Sequence, residues 1–107
     1  MKKVPYDQNT LTDLTVELIE EFKKQYKGVF QITVEDKKCF LHTPDRHILD
    51  AASAGSKKAD SKFNEILMKG SWLAGDKELV EDDDYFFAAG KQLTELINTK
   101  EAQLKKL

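Results

Sequence analysis

Residues 28–43, GVFQITVEDKKCFLHT, decide the fold because the spacing of apolar residues changes there from the period of a helix to that of a strand. Apolar and polar side chains alternate from Phe30 to Glu35, and a second short run, KKCFLHT, follows the polar residues EDK. Such alternation places each set of side chains on one face of a β-strand. The stretch therefore predicts a two-stranded antiparallel hairpin at about residues 29–42.

An amphipathic helix is predicted before the hairpin, over residues 11–26. Its apolar side chains recur every three or four positions, opposite a charged set; they are Leu11, Leu14, Leu18, Phe22 and Tyr26. Thr10 and Asp13 resemble a capping box at its start, and Gly28 stands where a left-handed residue often ends a helix. A lone hairpin is marginal in water, so we expect its apolar face to lie on helices.

A second helix is predicted directly after the hairpin, from Pro44 to about Ala54. Thr43 can cap it, and Pro44 suits the first helical position because its missing N–H group would have no partner there. Asp45 complements the positive end of the helix dipole. Gly55 is expected to end this helix.

Two more helices are predicted in the second half of the chain. The third begins with Asp60 or Ser61 as its cap and ends before Gly75, and its buried stripe consists of Phe63, Ile66, Leu67 and either Trp72 or Leu73. The fourth begins at Tyr85 and continues to the end of the chain. The predicted fold is thus α+β, with an N-terminal helix, a two-stranded antiparallel β-hairpin and then three helices in one domain, residues 1–107.

Composition and charge narrow the classes of protein. The 107 residues are 40% hydrophobic and 34% charged, with a formal net charge of -2. Lysines are interleaved with acidic residues, so neither nucleic acid nor an anionic membrane is an expected partner. No apolar run approaches the roughly 20 residues of a membrane span. The single cysteine and the absence of an apolar leader favour a cytoplasmic protein.

An acidic stretch, DKELVEDDD at residues 76–84, raises the question of a calcium site. An EF-hand loop requires oxygen ligands at fixed positions, a central glycine and a terminal glutamate, and this stretch has no such frame. Acidic residues also cap helices and favour the positive end of the helix dipole. We therefore interpret residues 82–84 as the start of the last helix.

Cys39, His42 and His47 are candidate zinc ligands. Three ligands are one short of a closed structural site, and their spacing matches no common zinc finger. Cys39 and His42 are three positions apart on a predicted strand, so alternation sends their side chains to opposite faces and disfavours a Cys–His nucleophile. Neither paired carboxylates nor a phosphate-binding glycine motif is recognisable. The sequence predicts no catalytic residue, no metal and no cofactor.

Three segments carry a family resemblance: TPDRHILDAASAG at residues 43–55, KFNEILMKGSWLAGD at residues 62–76 and LTELINTKEAQLKKL at residues 93–107. With them, residues 28–107 resemble small phage or prophage proteins of the tail assembly chaperone group. The chain has Ala74, Gly75 and Asp76 where that pattern has Gly-Gly-Asp. The resemblance implies a non-enzymatic protein that binds the tail tape-measure protein and shields its apolar helix surface until the tail tube polymerises.

A protein partner is expected to contact apolar side chains on the later helices: Trp72, Phe86, Phe87, Leu93 and Leu104. A single Trp near a helix end is more often a lid on the core than an interface anchor. Two alternatives stay open, a small nucleic-acid-binding regulator suggested by scattered lysine pairs and a protein-interaction domain of another kind. A homo-oligomer is also open.

Overall fold

A computed structural model describes residues 3–93 and 105–106 of the chain. The predicted α+β fold is confirmed, but among these residues the sheet has three strands. After a short 3-10 turn at Tyr6–Gln8, the elements in chain order are α1 (Val16–Gln25), β1 (Val29–Val34), β2 (Lys37–His42), α2 (Arg46–Ser56), α3 (Asp60–Ser71), β3 (Trp72–Gly75), α4 (Glu78–Glu81) and α5 (Asp83–Gly90).

The predicted hairpin is present, with β1 and β2 antiparallel in a register that pairs Val34 with Lys37 and Val29 with His42. Only Glu35 and Asp36 connect the strands. Glu35 has a φ of 55°, a left-handed conformation that favours glycine, because the right-handed twist of a hairpin selects positive φ in a two-residue turn. Glu35 therefore holds a strained conformation in order to close the hairpin.

The third strand was not predicted from the sequence. The expectation that the third helix carries Trp72 or Leu73 in its stripe was wrong, because α3 ends at Ser71 and the next four residues pair antiparallel with β2. All four residues of β3 are buried. Such a strand shows no alternation, so it reads in the sequence as a continuation of an apolar helix face.

The N-terminal segment covers the outer edge of β3. The N–H group of Gly75 donates to the carbonyl of Leu11 at 2.8 Å, and Asn9 Nδ2 donates to the carbonyl of Leu73 at 2.8 Å. The predicted helix start at residue 11 was therefore wrong. Helix α1 begins at Val16, and its cap is the side chain of Thr15, which accepts from the N–H of Leu18.

The sheet separates two apolar clusters. On one face the main core is built on β1, β2 and β3 and is closed by the helices α2 to α5; its fully buried members include Cys39, Leu41, Ala52, Leu67, Met68, Trp72, Leu79 and Ala89. On the other face a smaller cluster lies beneath α1 and comprises Leu14, Phe22, Phe40, Leu73 and Ala74. Both faces of β2 are thus buried.

Helix boundaries elsewhere agree with the sequence to within a few residues. Helix α2 begins at Arg46 and is capped by Asp45, whose carboxylate accepts from the N–H of Ile48. The short helix α4 was not predicted. The last helix begins at Asp83, close to the predicted start, but α5 ends at Gly90 and residues 91–93 form a turn. Its predicted continuation over residues 94–104 lies outside the described residues.

Candidate functional site

The structure divides the predicted partner contacts into buried and exposed side chains. Trp72 is fully buried, and Phe86 and Leu93 are also buried in the main core. These three side chains support the fold and are not accessible to a partner while the core is closed. Phe87, in contrast, is 63% exposed, and Leu104 lies outside the described residues. Phe87 is therefore the predicted contact that the described surface offers.

Helix α5 explains why two adjacent phenylalanines differ so strongly. Consecutive residues of a helix point about 100° apart, and on α5 this places Phe86 in the core and Phe87 on the exposed side. The ring centroids lie 5.8 Å apart and the ring planes are tilted by 57°, so the inner ring supports the outer one from below. An exposed aromatic side chain packed against a buried one presents apolar area to a partner.

A cleft of about 300 Å³ lies beside this ring, between α3, α4 and α5. Its lining combines apolar side chains with acidic ones: Ser61, Glu65, Val80, Asp83, Phe86 and Phe87. Glu65 Oε2 accepts from Lys62 at 2.9 Å, and this hydrogen bond lowers the pKa of the carboxyl. The carboxylate is thus charged at neutral pH. The arrangement can receive an apolar side chain flanked by a positive charge.

The acidic stretch acts structurally at several of its positions. Asp82 is the cap of α5, since its carboxylate accepts from the N–H of Asp84 at 3.0 Å. Asp76 accepts from the N–H of Lys38 at 3.1 Å and so ties the end of β3 to β2. Glu81 accepts from the hydroxyl of Tyr6 at 3.1 Å; burial, assisted by this carboxylate, raises the pKa of that phenol. The interpretation of Asp82 as a helix start is confirmed.

The three candidate zinc ligands lie in different surroundings. Cys39 is fully buried in the main core, and burial raises the pKa of its thiol to about 12. His42 is buried beside the ring of Tyr26, which stacks on it at 3.8 Å, and His47 is exposed on α2. Across residues 3–93 and 105–106, no group of three or more His, Cys, Asp or Glu side chains could hold a metal ion.

A partly buried contact between Lys3 and His42 was not predicted from the sequence. The ring nitrogen Nδ1 of His42 lies 2.8 Å from the carbonyl of Thr43, which can only accept, so Nδ1 carries the proton. Nε2 is then the acceptor for Lys3 Nζ at 2.9 Å, and Lys3 also donates to the carbonyl of Gly70. Burial lowers the pKa of both groups. The pair fastens the N-terminal segment to the sheet.

The lysine pair on the hairpin is engaged with carboxylates. Lys37 Nζ lies 3.3 Å from Glu78, and Lys38 Nζ lies 3.0 Å from Asp13. The hydrogen bond to Glu78 raises the pKa of Lys37, and that from Lys38 lowers the pKa of Asp13. Because both ammonium groups are paired with carboxylates, they do not form a basic patch on the hairpin.

Comparison of the chain with protein-family models, with curated proteins and with solved structures found no match. Among the described residues, no helix is long and apolar enough to cross a membrane. A function is therefore proposed below from the surface around Phe87, together with the resemblance expected from the sequence.

Proposed function

We propose that the protein is a non-enzymatic, intracellular binding protein of the tail assembly chaperone type, which holds an apolar helix of a tape-measure protein against α5. The observation that carries the proposal is the exposure of Phe87, 63%, on a helix whose neighbouring aromatic residue is buried. Large exposed aromatic side chains that are rigidly supported are typical anchors of protein interfaces.

The exposed ring supplies enough binding energy to matter. A phenylalanine buries roughly 200 Å² when fully covered, and about 25 cal/mol is gained for each Å² of apolar surface removed from water. Covering the exposed part of Phe87 therefore contributes about 3 kcal/mol. One such anchor, in a cleft that receives a second apolar side chain, suits a helix laid along a groove.

The charges around the cleft favour one chemistry in the partner. Asp83 lines the cleft, and Asp82 and Asp84 are exposed on the same short helix and its cap, whereas Glu65 in the lining is already paired with Lys62 and Lys69. A partner helix with lysine or arginine beside its apolar residues would match these carboxylates, which increases the association rate and excludes acidic competitors. The family resemblance is the reason for naming a tape-measure protein as the partner, whereas the residues around the cleft predict the charge and the apolar character of the partner helix.

The test is co-expression of the full chain with a tail tape-measure protein, followed by affinity purification. The expected result is that the long protein becomes more soluble and co-purifies. Phe87→Ala is expected to reduce the co-purified amount strongly, because loss of a central aromatic anchor costs about 2 kcal/mol, or roughly 30-fold in affinity.

Val16→Ala is the matched control, since Val16 is 71% exposed at the start of α1, on the other side of the sheet. This variant is expected to co-purify the tape-measure protein as the natural chain does. If the natural chain neither solubilises nor retains the tape-measure protein, the chaperone proposal fails. Equal losses with the two variants would instead remove Phe87 as the site.

A further inference from the structure

The outer edge of β1 presents backbone groups that β2 does not use. In a hairpin with a two-residue turn the residues that flank the turn, here Val34 and Lys37, exchange hydrogen bonds, and every second pair does so along the ladder. The bond from the N–H of Thr43 to the carbonyl of Gly28, 3.0 Å, has the same parity. The N–H and C=O groups of Val29, Gln31 and Thr33 therefore point away from β2.

These outward groups have no hydrogen-bond partner within the part of the chain that the structure describes. The opposite edge of the sheet differs, because the N-terminal segment satisfies the outward N–H of Gly75 and the outward carbonyl of Leu73. Within residues 3–93 and 105–106, the chain thus covers one edge of the sheet and leaves the other edge unpaired.

The sequence of β1, VFQITV, carries none of the features that protect an edge strand. It contains no charged residue, no proline and no glycine, and no bulge interrupts its pairing with β2. Natural proteins usually place a lysine, a proline or a bulge on an edge strand, because an unprotected edge pairs with other strands. Charged residues stand only at the two ends, Lys27 before the strand and Glu35 after it.

We propose that β1 is a dimerisation edge, which pairs antiparallel with β1 of a second copy of this chain around a two-fold axis at Gln31. In this register Val29 opposes Thr33 of the second copy, so each outward residue exchanges two backbone hydrogen bonds with its counterpart. The two three-stranded sheets then form one continuous sheet of twice that size. A two-fold axis is the commonest symmetry of homo-oligomers.

Charge complementarity favours the second copy as the occupant. Centring the pair on Gln31 places Lys27 of each chain opposite Glu35 of the other, so opposite charges meet at both ends of the interface. A parallel arrangement would instead place Lys27 opposite Lys27. The exposed side chain at the axis, Gln31, is uncharged and can hydrogen-bond its own copy. On the other face of the sheet, Phe30 meets Ile32 of the second copy and extends the main core.

The experiment is sedimentation equilibrium of the full chain over a range of concentrations. The natural chain is expected to reach twice the monomer mass. Gln31→Lys and Gln31→Glu each place like charges on the axis and are expected to raise the dimer dissociation constant by about fivefold. An equimolar mixture of the two variants places opposite charges there and is expected to restore association as a heterodimer.

Gln8→Lys and Gln8→Glu are the matched controls, because Gln8 is exposed in the N-terminal segment, which covers the opposite edge of the sheet. They are expected to leave the dissociation constant unchanged, as is Phe87→Ala, so failure of this proposal is distinguishable from failure of the partner site. A natural chain that stays monomeric at every concentration would overturn the proposal. So would a dimer that the single Gln31 variants leave intact.

Discussion

Gly75 is a residue at which the fold tolerates substitution poorly. It closes β3 opposite Cys39 with a φ of 141°, a conformation that is essentially restricted to glycine. A Cβ atom at this position would lie 2.4 Å from Cys39 Cα and 2.6 Å from the carbonyl oxygen of Lys38. Both contacts are with backbone atoms, so no side-chain rotation can relieve them.

We expect Gly75→Ala to lower the free energy of unfolding by about 4 kcal/mol. The backbone conformation accounts for about 1 to 3 kcal/mol of this loss and the steric overlap for a similar amount. The assay is urea unfolding followed by the fluorescence of Trp72, the single tryptophan, which is buried in the same strand and so reports on the core.

Gly90→Ala is the control for this measurement. A Cβ atom at Gly90 meets Asn64 Nδ2 at 3.0 Å, the end of a side chain that can move, and alanine favours helix over glycine by about 1 kcal/mol. Gly90→Ala is therefore expected to leave stability unchanged or to raise it slightly. A loss below about 1 kcal/mol for Gly75→Ala would refute the close approach of β3 to β2.

Three further predictions concern local strain, burial and pH. Glu35→Gly is expected to raise the free energy of unfolding by about 1 kcal/mol in urea, because it relieves the left-handed backbone at the hairpin turn; a loss of stability would contradict the turn geometry. Ser71→Ala is expected to raise the melting temperature, since the buried hydroxyl of Ser71 has no hydrogen-bond partner among the described residues; a drop of several degrees would indicate a missing partner. Burial lowers the pKa of His42 in the folded state, so the unfolded chain binds more protons at mildly acidic pH. The contribution of neutral His42 to the free energy of unfolding is therefore fully present above the unfolded pKa of about 6.5 and is lost as pH falls through the folded pKa. Urea titrations between pH 7.5 and about 5.5 should show this decline in the natural chain and equally in the control variant His47→Gln, which removes the other histidine. A free energy of unfolding that rises on acidification would contradict this prediction.

The sequence was sufficient to predict the elements with a clear period. The hairpin and α2 follow from alternation and from helix signals at 43–46, and both occur within a few residues of their predicted positions. Strand β3 could not be predicted because Trp72–Gly75 is buried on both faces, so its side chains do not alternate. The start of α1 was misplaced because residues 9–11 are held by the edge of β3, a long-range contact that a local pattern does not contain.

The candidate site was only partly accessible to sequence reasoning. Apolar spacing marked Trp72, Phe86 and Phe87 alike, yet tertiary packing buries the first two and exposes the third. The pairing of Lys3 with His42 joins residues 39 positions apart, and no local signal marks it. Tertiary packing decides which apolar side chains stay exposed, and periodicity in the sequence alone does not reveal it.

The most direct test of the proposed binding site is NMR mapping of the isotope-labelled chain as a soluble fragment of the tape-measure protein is added. We expect shift changes that centre on α5 and the neighbouring cleft, with the largest at Phe87, whereas amides near Val16 on α1 stay unchanged. Binding that shifts the amides of α1 and leaves α5 unaffected would rule out α5 as the binding surface, as would the absence of any shift at saturating fragment.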